Sequence, residues 1–145
     1  MKNKKNIYSE ARSGWYKIGR KKYYFRSGWE VVYARYLQWL KIENKIKKWE
    51  YEPKIFWFEA IRRGTRSYTP DFKIYNIDGT IEYHEVKGYM DSRSKTKIKR
   101  MKKYYPETIL KVIQKKEYDA VKKWERLFPI ATKTEKRKRS NKPKK

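Results

Sequence analysis

Trp29, Val32, Tyr33, Tyr36, Leu37 and Leu40 recur three and four residues apart, the spacing that gathers side chains on one face of an α-helix. Ser27 stands at the N-cap position and Glu30 follows at the capping-box spacing, so a first helix is predicted over residues 28–44. A break ending in Pro follows, Trp49-Glu50-Tyr51-Glu52-Pro53, and then the aromatic run Ile55, Phe56, Trp57 and Phe58, which predicts a strand. Beyond the basic loop Arg62-Arg63-Gly64-Thr65-Arg66, residues 71–75 and 80–87 are β-prone and flank Asn76-Ile77-Asp78-Gly79, whose Asp-Gly pair marks a hairpin turn. Residues 92–105 predict a Lys- and Arg-rich helix stopped before Pro106, 109–114 a short apolar strand, and 118–128 a closing helix.

The resulting order is helix, three strands, helix, strand, helix, the pattern of an α/β (α+β) domain with a mixed sheet flanked by helices. Ahead of it, Trp15-Tyr16-Lys17-Ile18 and Lys22-Tyr23-Tyr24-Phe25 surround a Gly19-Arg20 turn, so residues 1–26 predict a basic N-terminal β-hairpin extension. Residues 27–132 form the core domain. Residues 133–145 are strongly basic and have no apolar side chain to bury, so a disordered tail is expected there. There is no internal repeat.

Charge then narrows the partners. Lys and Arg number 41 against 16 acidic residues, a formal net charge of +25 in 145 residues. A field of that sign attracts a polyanion, and nucleic acid is the first candidate. An anionic membrane is the competitor, but the apolar runs are short and residues 1–8 contain no apolar signal core. A soluble protein of the nucleic-acid-containing compartment is expected, the cytoplasm, or the host cell's cytoplasm if the chain is phage-encoded.

Cysteine is absent and His84 is the only histidine, which removes zinc fingers, thiol nucleophiles and Ser-His-Asp triads. What remains is carboxylate, hydroxyl and amine chemistry, for which a hard cation with oxygen ligands is the natural cofactor. No organic cofactor is expected. On a strand, residues i and i+2 share a face, so Glu85 and Lys87 project together while Val86 turns away. Asp71, after Pro70, opens the strand predicted to pair with theirs.

Helical Glu30, then Pro70-Asp71 at a strand start, then Glu85-Val86-Lys87 on the partner strand resemble the PD-(D/E)XK nuclease superfamily. More narrowly, Trp49-Glu50-Tyr51-Glu52-Pro53, Tyr68-Thr69-Pro70-Asp71-Phe72, Glu85-Val86-Lys87-Gly88 and Tyr104-Tyr105-Pro106-Glu107 resemble the phage endonuclease I family of Holliday-junction-resolving enzymes and related small phage or mobile-element nucleases. The likeness covers roughly residues 27–114. It implies a restriction-endonuclease-like αβββαβ core and catalytic residues Glu30, Asp71, Glu85 and Lys87. Asp71 and Glu85, with Glu30 as a further member, would ligate Mg²⁺, with Mn²⁺ able to substitute. Lys87 would position or help deprotonate the attacking water and stabilise the transition state. It also implies a homodimer, which residues 59–67 are polar enough to join by a domain swap as an extended bridge, with Glu30 then supplied in trans.

The activity expected from these residues is Mg²⁺-dependent endonucleolytic hydrolysis of DNA, foremost at Holliday junctions or other branched structures. A site-specific homing or restriction-type duplex endonuclease is the alternative, and a non-catalytic DNA-binding protein with a nuclease fold the next. An RNA-binding module has less support, because neither an RNP-type aromatic motif nor a Gly-X-X-Gly loop is present. Arg93, Lys95, Lys97, Lys99, Arg100 and Lys103 on the basic helix, with Arg62, Arg63 and Arg66 before it, are the candidate phosphate-backbone contacts. A solvated helix face is the plain alternative for the former set. Glu30 has one too, as the reciprocal half of its helix cap. His84 should face away from Glu85 and Lys87, as a packing or DNA-adjacent residue.

Overall fold

The computed structural model of the chain describes residues 11–134. Gly14–Ile18 (β1) and Lys21–Phe25 (β2) pair antiparallel around Gly19, whose φ of 60° is the left-handed turn conformation. Alternation along the two strands sends Tyr16, Ile18 and Phe25 inward and leaves Trp15, Lys17 and Tyr24 outside. Those inward side chains join the same core as Val31, Leu37 and Phe72. The predicted hairpin is therefore built into the domain and is not an appendage ending at residue 26.

Gly28–Ile42 (α1) starts where predicted: the Ser27 hydroxyl accepts the Glu30 N–H at 3.2 Å. It ends two residues short of the prediction because Asn44 adopts a φ of 56°. The Asn44 and Lys45 N–H groups then turn back to the carbonyls of Lys41 and Leu40, at 3.1 and 2.8 Å, closing the helix as a Schellman motif.

The next strand departs from the prediction. Ile46–Tyr51 (β3), which the pattern assigns to a break, is a strand of the main sheet. Phe56–Trp57 (β4), within the predicted aromatic strand, instead pairs with Ser67–Tyr68 (β5) in a separate two-stranded ladder. The reason lies in β3: its register against the next main-sheet strand shifts between Ile46 and Lys48, so the buried Ile46 and Trp49 stand three apart. A bulge of this kind erases the two-residue period by which a strand is read.

Phe72–Asn76 (β6) and Ile81–Val86 (β7) form the predicted hairpin, Ser92–Tyr104 (α2) the basic helix, and Ile109–Ile113 (β8) the apolar strand. The closing helix begins earlier than predicted, at Lys115–Lys122 (α3), because Glu117 reaches back to the Gln114 N–H at 3.1 Å. A 3₁₀ turn, Glu125–Leu127, follows, and Thr132–Lys133 (β9) pairs with β1. The predicted tail thus starts inside a strand, since a backbone ladder needs no apolar side chain. The rest of that tail, 135–145, and residues 1–10 lie outside the described residues.

The main sheet runs β3-β6-β7-β8, antiparallel except for β8, which lies parallel to β7 and is reached through α2. This is a mixed α+β fold with helices on both faces, and α1, β3, β6, β7, α2 and β8 follow the αβββαβ order, with β4 and β5 inserted after β3. On one face α1 buries Val31, Val32 and Leu37 against Trp49, Phe72, Ile74 and Val86. On the other, Met101 of α2 packs with Tyr83, Phe56, Phe58 and Tyr68. A buried ion pair, Arg35 to Glu125 at 3.2 Å, ties α1 to the 3₁₀ turn. Among the described residues no helix is long and apolar enough to cross a membrane.

Candidate active site

Strand register decides which side chains meet. Phe72 pairs with His84, so the ladder carried one residue further sets Asp71 opposite Glu85, on the face of the sheet that α2 covers. Lys87 follows Glu85 by two and shares that face, held in place as its N–H donates to the Ile113 carbonyl at 3.0 Å. Glu30 arrives from the first turn of α1. All four line one cleft of about 410 Å³, together with Tyr68 and Lys97.

Each carboxylate is held. Asp71 Oδ2 accepts the Val86 N–H at 2.8 Å, Glu85 Oε2 accepts the Tyr68 hydroxyl at 2.6 Å, and Glu30 Oε2 accepts the Tyr51 hydroxyl at 2.5 Å and the Arg26 N–H at 3.2 Å. Glu30 is thus held by β3 and the chain before the helix. Its backbone donor is the Arg26 N–H, where a reciprocal capping box would use the Ser27 N–H. The sequence carried no assignment for Tyr51 or Tyr68. A buried tyrosine hydroxyl needs a polar partner, and that requirement is the one signal that could have singled out Tyr68 beside the Pro70-Asp71 pair.

Burial, then the charges of Glu85 and Glu30, push the Asp71 carboxyl up to about 8, against the pull of the Val86 N–H and Lys87. Burial also raises Glu85, against the Tyr68 hydroxyl and the Lys87 ammonium. Two carboxyls face each other and neither ionises freely beside the other. Tyr68 is raised above its ordinary range, by burial first and then by Glu85, so it stays a neutral donor.

This donor set fits a hard divalent cation. It offers carboxylate oxygens on adjacent strands, a charge repulsion that a cation would relieve, and a cleft open to a further ligand. Among the described residues no three His, Cys, Asp or Glu side chains form a closed metal-holding group. Mg²⁺ takes one or two carboxylates and completes its shell with water and phosphate oxygens, so two facing carboxylates suffice.

His84 faces the other layer, as predicted. Its Nδ1 accepts from the Tyr33 hydroxyl at 2.6 Å and its Nε2–H donates to Glu82 at 3.3 Å, the roles a neutral ring takes beside a carboxylate. Burial lowers the His84 pKa in spite of Glu82. Glu82 is itself held at about 2: burial opposes its charge, and hydrogen bonds from Lys111, Asn76 and His84 outweigh that.

Of the basic residues predicted to meet phosphates, Lys97 lines the cleft, while Arg62, Arg63, Arg66, Arg93, Lys95, Lys99 and Lys103 are exposed. Arg100 differs, because its guanidinium donates to the Thr65 carbonyl and pins α2 to the β4–β5 connection. That connection turns back on itself: the Phe58 N–H donates to the Arg66 carbonyl at 2.9 Å and Trp57 pairs with Ser67. In this chain residues 59–66 form the hairpin loop between β4 and β5.

Neither the curated proteins nor the solved structures gave a match to this chain. One family model matches residues 11–120, which takes in the hairpin, α1, the whole main sheet and every residue of the cleft named above. The chain belongs to that family, DUF1064, described as a protein of unknown function.

Proposed function

We propose that this protein is a divalent-metal-dependent DNA endonuclease whose active site is the Asp71–Glu85–Lys87 cleft. The observation that carries the reading is the convergence of Asp71, Glu85 and Lys87 from two adjacent strands into one cleft of a chain with a net charge of +25. The αβββαβ order of the elements around it supports the nuclease resemblance.

Asp71 and Glu85 would hold Mg²⁺ or Mn²⁺, which when bound acidifies water and neutralises phosphate charge. The remaining work falls to side chains. Val86 N–H and the Tyr68 hydroxyl each hold one carboxylate oxygen of Asp71 and Glu85, so those ligands are oriented before substrate arrives. Lys87 places an ammonium beside the carboxylates, where it can pair with a non-bridging phosphate oxygen as negative charge builds on it. In the reaction the water oxygen bonds to phosphorus, one P–O ester bond breaks, and a proton ends on the departing alkoxide. Glu30, fixed by Tyr51 and the Arg26 backbone, sits at the cleft edge as a further acceptor for water. The exposed cations of α2 and the β4–β5 loop would hold flanking phosphates. The protein would act in the cytoplasm, where its DNA is, and cutting both strands of a branched or duplex substrate favours a homodimer with one complete cleft per chain.

The test is a cleavage panel: a four-way junction, a linear duplex and a single strand, each with Mg²⁺ and with EDTA. Metal-dependent cutting of at least one DNA is expected, with Glu85→Ala binding but not cutting. Absence of metal-dependent cutting on all three would remove the proposal and leave the DNA-binding alternative.

A further inference from the structure

One cleft residue has no part in the chemistry above. Tyr89 is 80 % exposed, an unusual state for a ring that has the rest of the protein within reach. The residues on both sides of it are placed by contacts. Before it, Gly88 lies beside the Trp29 indole, at a distance where an added Cβ would make ordinary van der Waals contact with the ring, 3.4 Å. Trp29 in turn stacks flat on Tyr118, with centroids 4.0 Å apart and planes 2° from parallel. After it, the Asp91 carboxylate caps α2 by accepting the Ser94 N–H at 2.7 Å. Tyr89 therefore emerges from the bend between β7 and α2, two residues beyond Lys87, and lines the same cleft as Lys97.

We infer that Tyr89 is a stacking platform for an unpaired base beside the scissile phosphate, and that the substrate class is DNA with a flipped-out or branch-point nucleotide. The inference rests on the nuclease reading of the cleft. Inside a continuous duplex both faces of every base are covered by neighbours, so a ring stacks at lowest cost on a base that has left the helix. Lys97 lines the same cleft and brings positive charge for the phosphates beside such a nucleotide, while the Arg26 guanidinium at the cleft is paired with Glu52. The cleft, at about 410 Å³, has room for one nucleotide.

The experiment is equilibrium binding in EDTA, so that no cutting intervenes. The probes are a blunt duplex, the same duplex with a single-stranded flap, and a four-way junction, with 2-aminopurine at the branch nucleotide of the latter two. The wild type should bind flap and junction more tightly than blunt duplex and change the 2-aminopurine emission on binding. Tyr89→Ala should weaken flap and junction binding about tenfold, the lower range of one base–aromatic stack, with duplex binding within about twofold. Tyr89→Trp should restore both affinity and the emission change. Equal weakening on all three probes would overturn the inference, making Tyr89 a general backbone contact, and so would unchanged binding in Tyr89→Ala. Because the readout needs no catalysis, the two ideas fail separately. Stacking without metal-dependent cleavage removes the nuclease reading alone, and cleavage with an indifferent Tyr89 removes the stacking alone.

Discussion

Replacing Asp71 by Asn should make the metal-free protein more stable while abolishing its chemistry. The side-chain oxygen that accepts the Val86 N–H survives the change, and what disappears is a buried charge facing Glu85 and Glu30. Asp71 titrates at about 8 in the fold against an ordinary 3.8. At about 1.4 kcal/mol per pH unit that difference sets a ceiling of about 6 kcal/mol on the penalty for ionising it in place. Burial is the larger part of that penalty, and a buried amide keeps a desolvation cost of its own, so roughly 2 kcal/mol is the expected gain. For a domain of this size that is roughly 6–8 °C in melting temperature. Below about pH 4 folded and unfolded chains both keep this proton, and the two proteins should melt alike. Between about pH 4 and 8 the unfolded chain has released the proton and the folded one has not, so wild-type stability falls as pH rises and the margin of the variant opens. Above about pH 8 the margin is constant. Thermal melts in EDTA at about pH 5 and about pH 8.5 measure this, and Mg²⁺ should then narrow the gap by stabilising the wild type selectively. A variant less stable than wild type at the alkaline point, or a margin that ignores pH, would refute the reasoning.

Other consequences can be measured separately. Tyr68→Phe removes the hydroxyl that holds Glu85 and should lower the cleavage rate about tenfold or more without a matching loss of DNA affinity, as expected when a ligand's supporting hydrogen bond is lost. Unchanged cleavage would make that bond incidental. Glu125→Ala removes the Glu125 half of the buried ion pair with Arg35 and should destabilise by about 3–5 kcal/mol in chemical denaturation. A loss below about 1 kcal/mol would mean that the pair is open to water. Mixing Glu30→Ala with Glu85→Ala chains, with heterodimers confirmed, should restore no activity, because Glu30 and Glu85 already meet in one cleft within the single chain. Recovered cutting would instead reveal a swapped arrangement.

What was readable in the chain was whatever depends on local period and spacing. Ser27 and Glu30 announced α1, Asp78-Gly79 announced the β6–β7 turn, and the two-residue period put Glu85 and Lys87 on one face. What escaped depends on contacts between distant segments. β3 hid behind a bulge, and with it went Tyr51, the residue that fixes Glu30. Tyr68 and Tyr89 look like any other of the 14 tyrosines until the fold puts one under Glu85 and leaves the other exposed at the cleft. Arg100 reads as one more cation on a basic helix, yet its guanidinium is spent on the Thr65 carbonyl, 35 residues away. A strand such as β9 cannot be foreseen from Thr132 and Lys133, since only the free edge of β1 makes it one.

The central claim is that Asp71 and Glu85 together make a metal-dependent phosphodiesterase site. Single-turnover cleavage of a labelled four-way junction by wild type and Glu85→Gln, in Mg²⁺ and in EDTA and with affinity measured alongside, tests it most directly. The account predicts cutting by wild type in Mg²⁺ only, and a Glu85→Gln protein that binds the junction as well as wild type but cuts it at least about a thousandfold more slowly, a loss of some 4 kcal/mol of transition-state stabilisation. Equal cutting by the two proteins, or cutting that survives EDTA, would contradict it.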